Sequence, residues 1–193
     1  MKKLTRSDLS GLEQYAGERA ALRAAVIEHK RPRRVALSPN ATLYFEDALT
    51  IRYQIQEMLR AEKIFEPEEI QSELDAYNPL IPDGTNWKAT FMFEYADVEE
   101  RRQALARMSG IEHEIWVQVG DAPRVKAIAN EDLDRSTDEK TSAVHFLRFE
   151  LDQESIAAAK AGAPIRMGID HSAMPCEVRL EEASRHSLTG DLG

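Results

Sequence analysis

Between Tyr44 and Ile64 the sequence sets an unusual amount of polar chemistry among apolar residues. Ile51, Ile55, Met58 and Leu59 recur at the i, i+4, i+7 and i+8 spacing of one helical face. Tyr53, Glu57 and Arg60 form a second stripe, with Gln54 and Met58 beside it. Glu57 and Arg60 lie one turn apart and can pair, and the Gln54 amide can donate or accept. Turned inward, such groups must satisfy one another or face a ligand, because an unpaired polar group is costly away from water. Two blander readings compete. One is a surface salt bridge; the other is a polar network that fixes the packing of the next helix through Glu73 and Tyr77.

The histidines offer a second kind of chemistry. His145 alternates with Ala143, Leu147, Phe149 and Leu151, so it shares a strand face with core residues. Buried there it needs a hydrogen-bond partner, for which Glu57 or Tyr77 would serve. His171 lies in the turn Asp170-His171-Ser172, where metal ligation competes with ordinary turn chemistry. His113, between two glutamates, reads as solvated. His145, His171, Glu57 and Glu73 would make a mixed nitrogen and oxygen metal site if the fold gathered them, although their spacing follows no ligand pattern. Lys30, Arg31, Arg33 and Arg34 form a basic cluster, read either as an anion site or as charge complementing a helix C-terminus. The motifs of nucleophilic hydrolases, P-loops, dinucleotide folds and zincins are missing, as is the E-x-x-H of di-iron bundles. No cofactor is named by these residues.

Composition narrows the class. The chain has 193 residues, 42% hydrophobic and 31% charged, with net charge -9 from 25 basic and 34 acidic side chains. That balance suits a soluble globular protein and repels polyanions, so nucleic-acid binding is disfavoured. No apolar run approaches the roughly 18–20 residues that span a bilayer. The N-terminal Met-Lys-Lys lacks the apolar core of a signal peptide. The single cysteine, Cys176, rules out an internal disulfide and multi-cysteine clusters, and alternation places it on an inner face as an inert residue. A cytoplasmic protein is the simplest reading.

The elements that must position these residues follow from caps, breakers and period. Residues 5–31 read as helix in two pieces, with possible capping boxes at Thr5/Asp8 and Ser10/Glu13, a weak point at Gly17 and a stop before Pro32. Residues 33–37 and 42–46 read as a hairpin, followed by helices over 48–63 and 67–77, the second with Pro67 and three acids at its start. Strands follow from Lys88, over 114–119 with 124–129 as its partner, and over 141–151. Helices start at Asp97 and Asp152, and a last hairpin pairs 165–169 with 174–180. Asn130 to Lys140 reads as an exposed, mobile loop, and the residues after 180 as a short helix with a frayed tail. The expectation is one α+β domain: a helical part at about 5–80, a sheet-rich part at about 88–180 with about eight mostly antiparallel strands, and a polar tail over 181–193.

Four blocks carry a resemblance: Tyr-Gln-Ile-Gln-Glu-Met-Leu-Arg-Ala-Glu (53–62), Glu-Leu-Asp-Ala-Tyr-Asn-Pro-Leu-Ile-Pro (73–82), Ser-Ala-Val-His-Phe-Leu-Arg-Phe (142–149) and Gly-Ile-Asp-His (168–171). They resemble the blocks of a bacterial domain-of-unknown-function family, number 3501, over nearly the whole chain. The resemblance implies a single-domain bacterial protein. Family members are often encoded near rubrerythrin-like and iron–sulfur oxidoreductase proteins. That implies a non-enzymatic accessory or interaction protein of a redox or peroxide-defence system, with such proteins as partners and a homodimer as one arrangement. The alternative is a metal- or small-ligand-binding protein, conceivably an enzyme, with a polar pocket around Glu57 and His145. Family members tend to carry Asp-His-Pro-aromatic where this chain has Asp-His-Ser-Ala, a departure that bears on His171.

Overall fold

The computed structural model describes residues 2–131, 133, 136 and 140–193. Its first helix, α1 (Leu12–Lys30), runs unbroken through Gly17. The expected break falls earlier, after a single 3-10 turn at Arg6–Asp8 closed by the Thr5/Asp8 capping box. A mid-helix glycine costs about 1 kcal/mol, which burial of Tyr15 and Val26 on either side of it can offset. Ser10 does not cap this helix. Its backbone N–H donates to Gln56 Oε1 at 2.6 Å, and Gln56 Nε2 returns a bond to the Ser10 carbonyl.

After a 3-10 turn around Pro32, β1 (Arg34–Ser38) and β2 (Ala41–Phe45) form the first hairpin. Asp47 then caps α2 (Ala48–Glu62): its side chain accepts from Thr50 N–H, while its own N–H donates to Thr50 Oγ1. Lys63, left-handed at φ 58°, ends that helix. Next come α3 (Pro67–Tyr77), β3 (Asn86–Phe93), α4 (Val98–Arg107) and β4 (Ile115–Val119). They are followed by β5 (Val125–Lys126), β6 (Ile128–Ala129), β7 (Val144–Glu150), α5 (Gln153–Lys160), β8 (Ile165–Ile169), β9 (Cys176–Arg179) and α6 (Glu182–Thr189). The class is α+β, with six helices and nine strands among the described residues.

The strands divide into two antiparallel sheets, ordered β1-β2-β3-β7-β6 and β5-β4-β8-β9. The stretch 124–129, expected as one strand, is the corner between them. Val125–Lys126 pairs with β4, Ile128–Ala129 pairs with β7, and Ala127 keeps its N–H on Ile115 O as the chain turns from one sheet into the other. The main core fills the space between the sheets. Registers Leu43–Phe91–His145, Phe45–Ala89–Leu147 and Trp87–Phe149 place those side chains on the inner face of the five-stranded sheet. Ile115, Val117, Ile165, Met167 and Ile169 face them from the other sheet. Helices α1, α2 and α3 pack on one another around a smaller core of Ile51, Ile55, Leu59, Leu74 and Ile81.

The end of the chain is anchored rather than frayed. Leu188 and Leu192 are buried, Trp87 Nε1 donates to Leu188 O, and Gly193 N–H donates to Gly84 O. Of the expected mobile loop, Asp132, Asp134, Arg135, Thr137, Asp138 and Glu139 lie outside the described residues. Within it, Glu131 pairs with Arg148, and Ser136 donates to Glu112.

Candidate functional site

The polar stripe of α2 is drawn toward α1. Glu57 accepts from Arg19 Nε and Nη2, each at 2.7 Å, and from the Tyr15 hydroxyl at 2.7 Å. The fork of hydrogen bonds from Arg19, with that of Tyr15, outweighs partial burial and holds the Glu57 carboxyl at about 2. Arg60, the partner expected from spacing, is exposed and adds only a weaker field. The buried amide is Gln56, on the Ser10 backbone, while Gln54 is exposed. Tyr15 and Arg19 stand at i and i+4 on α1, which was the available signal for this clamp.

His145 goes elsewhere. It is fully buried between the sheets, its Nε2 2.8 Å from Thr141 Oγ1 and 3.1 Å from Ser142 O, with Glu112 Oε2 4.0 Å away. Burial pushes the Glu112 carboxyl up, but hydrogen bonds from Ser136, the backbone and Thr141, with the field of His145, bring it below its usual value. The expected pocket joining His145 to Glu57 is therefore not formed. Alternation sends His145 inward with Phe91 and Leu147, whereas the helices cover the outer face, where Val144 and Phe146 stand. His171 also stands apart, in the β8–β9 turn, where its Nδ1 accepts from Ala173 N–H at 3.2 Å.

What the fold does bring together is Glu73, Tyr77 and Met58. They line a groove of about 610 Å³ between the helical layer and the outer face of the five-stranded sheet, with Ala76, Leu80, Phe146 and Arg148. An adjoining cavity of about 400 Å³ shares Tyr77, Leu80 and Phe146 and reaches Gln54, Ile51 and Lys30. Burial first, and then the charge of Glu62, raise the Glu73 carboxyl above its ordinary value. Among the described residues no side chain pairs with it. The cations of the same wall are already engaged: Lys88 donates to Pro79 O, and Arg148 is held by Glu131 and Glu150.

Two polar assemblies escaped the reading of the sequence. Arg33, taken as part of a basic cluster, is only 2% exposed. It donates to both Asp191 oxygens, at 2.5 and 3.2 Å, and to the carbonyls of Phe45 and Glu46. His29 and Asp47 extend this network. The cluster is thus divided: Arg33 is buried on Asp191, Arg31 pairs with Glu28 at the surface, and Arg34 with Glu94. On the outer face of the four-stranded sheet, Trp116 lies between the Arg124 guanidinium, 3.7 Å from its ring centroid, and Gly168, where a Cβ would collide with the indole. Asp170 accepts from Trp116 Nε1 at 2.9 Å and from Arg124. Among the described residues no group of three histidine, cysteine or acidic side chains is placed to hold a metal ion, and no helix is long and apolar enough to cross a membrane.

The family model described as protein of unknown function (DUF3501) matches residues 3–192. The chain belongs to the DUF3501 family. A crystal structure of a novel protein of unknown function from Burkholderia pseudomallei K96243 is 52% identical, covers 100% of both chains and superposes with a TM-score of 0.95. No curated protein matches. The four sequence blocks have separate places in the DUF3501 fold. Residues 53–62 hold the clamp and one wall of the groove, 73–82 the opposite wall, 142–149 both faces of β7, and 168–171 the seat of Trp116.

Proposed function

We propose that this DUF3501 protein is a non-enzymatic accessory protein of a bacterial redox or peroxide-defence system that works by binding a small organic ligand in the groove beside α3. The observation that carries the reading is Glu73: a half-buried carboxylate on an apolar groove wall, with its pKa raised and no pairing side chain among the described residues. A volume of about 610 Å³ is of the size that ligand pockets take. The redox setting, with rubrerythrin-like or iron–sulfur proteins as partners, rests on the family resemblance. His145 has no part in this reading, since it faces the inter-sheet core.

A deletion strain tests it. Loss of the gene should sensitise cells to peroxide, and the wild-type gene should restore growth. Ala76→Trp, which fills the groove from an exposed helical position, should not restore it. Unchanged growth of the deletion strain under peroxide, with no redox protein recovered on the tagged chain from native extract, would overturn the redox assignment.

A further inference from the structure

The groove walls give the proposed ligand a chemistry, on the condition that the groove is the ligand site. They are mostly apolar or aromatic: Met58, Ala76, Leu80, Tyr77 and Phe146. The charged groups on the wall are Glu73, Lys88, Glu131 and Arg148. Three of these are spoken for within the protein. Lys88 is on the Pro79 carbonyl, and Arg148 holds Glu131 with both Nε and Nη2. Glu73 differs, since the charge acting most on it is another carboxylate, Glu62. A carboxylate withdrawn from water on an apolar wall is stabilised most by a charge-assisted donor brought by the ligand. Aromatic faces at Tyr77 and Phe146 suit the same visitor, since their quadrupoles attract cations and their bodies take apolar surface.

We infer that the groove takes an organic cation, a protonated amine on an aromatic or aliphatic body, with Glu73 as the counter-ion. An anionic ligand would meet the Glu73 carboxylate, and of the cations on the wall Arg148 is already held by Glu131 and Glu150 while Lys88 donates to the Pro79 carbonyl.

Three compounds with one indole body and different heads decide the matter: tryptamine, tryptophol and indole-3-propionate. Binding is read by NMR on the 13C-labelled Met58 methyl, assigned with Met58→Leu. Tryptamine should bind roughly tenfold tighter than tryptophol, with the propionate weakest. Glu73→Gln should bring tryptamine down to the level of tryptophol and leave tryptophol unchanged. If all three compounds move Met58 with equal affinity, the amine assignment fails while the groove stands as a ligand site. If none moves Met58 at millimolar concentration, the groove reading falls with it.

Discussion

Glu57 and Glu73 sit on neighbouring helices and meet opposite fates. Glu57 lies in the seam between α1 and α2, where Arg19 and Tyr15 reach it and hold its carboxyl at about 2. Glu73 lies where α3 faces the sheet, is desolvated without a cation, and has its pKa raised. The first gains stability by being charged; the second loses some. A partly buried carboxylate that the fold has paired does structural work, and one left unpaired on a cavity wall is the better place to look for a ligand.

This contrast can be broken by removing partners. The most damaging change should be Asp191→Ala, a paired carboxylate buried so deeply that its carboxyl lies above its ordinary value in spite of Arg33. It strands Arg33, only 2% exposed, and should cost about 3–5 kcal/mol in urea unfolding. Glu57→Gln should cost about 1–2 kcal/mol, less because the clamp is partly solvated. A double-mutant cycle with Arg19→Ala should recover most of that as coupling. The pH dependence then separates the two glutamates. Glu57 is depressed in the folded state, so its contribution is fully present above the usual glutamate range and is lost as pH falls toward 2. Glu73 is raised, so the folded state binds protons more tightly there, and stability falls as pH rises from the ordinary glutamate value through the folded one. Unfolding free energies between pH 3 and 7 should therefore show Glu57→Gln removing a rising component and Glu73→Gln removing a falling one. Smallest of all, Glu73→Gln at neutral pH should change stability by no more than about 0.5 kcal/mol, toward stabilisation. A loss as large as that of Glu57→Gln would erase the distinction.

Much of the scaffold was legible in the residues. Period two placed His145, Leu147 and Phe149 on one face of β7, and Asp97 and Asp152 announced helix starts through side chains that accept from backbone N–H groups. What escaped depends on distance along the chain. Glu57 was read against Arg60, three residues away, because local spacing favours such pairs; its partner Arg19 lies 38 residues upstream. Arg33 looked solvated within a basic run, because the carboxylate that neutralises it is 158 residues later. The division of the strands into two sheets turns on Ala127, a small buried residue at a bend that no breaker marks. Glu73 was legible as a candidate, but that it would stay unpaired was not, since a helical pattern shows which side a residue faces and not what stands opposite.

The pairing of Arg33 with Asp191 also sets an order of events during synthesis. At about 5–20 residues per second, a ribosome that has just made Arg33 needs roughly 8–30 s to reach its counter-ion, 158 residues on. Through that interval the Arg33 guanidinium has no Asp191 to enter with, so its paired burial beside Phe45 and Glu46 comes late. That contact therefore forms only after every strand of both sheets has been made.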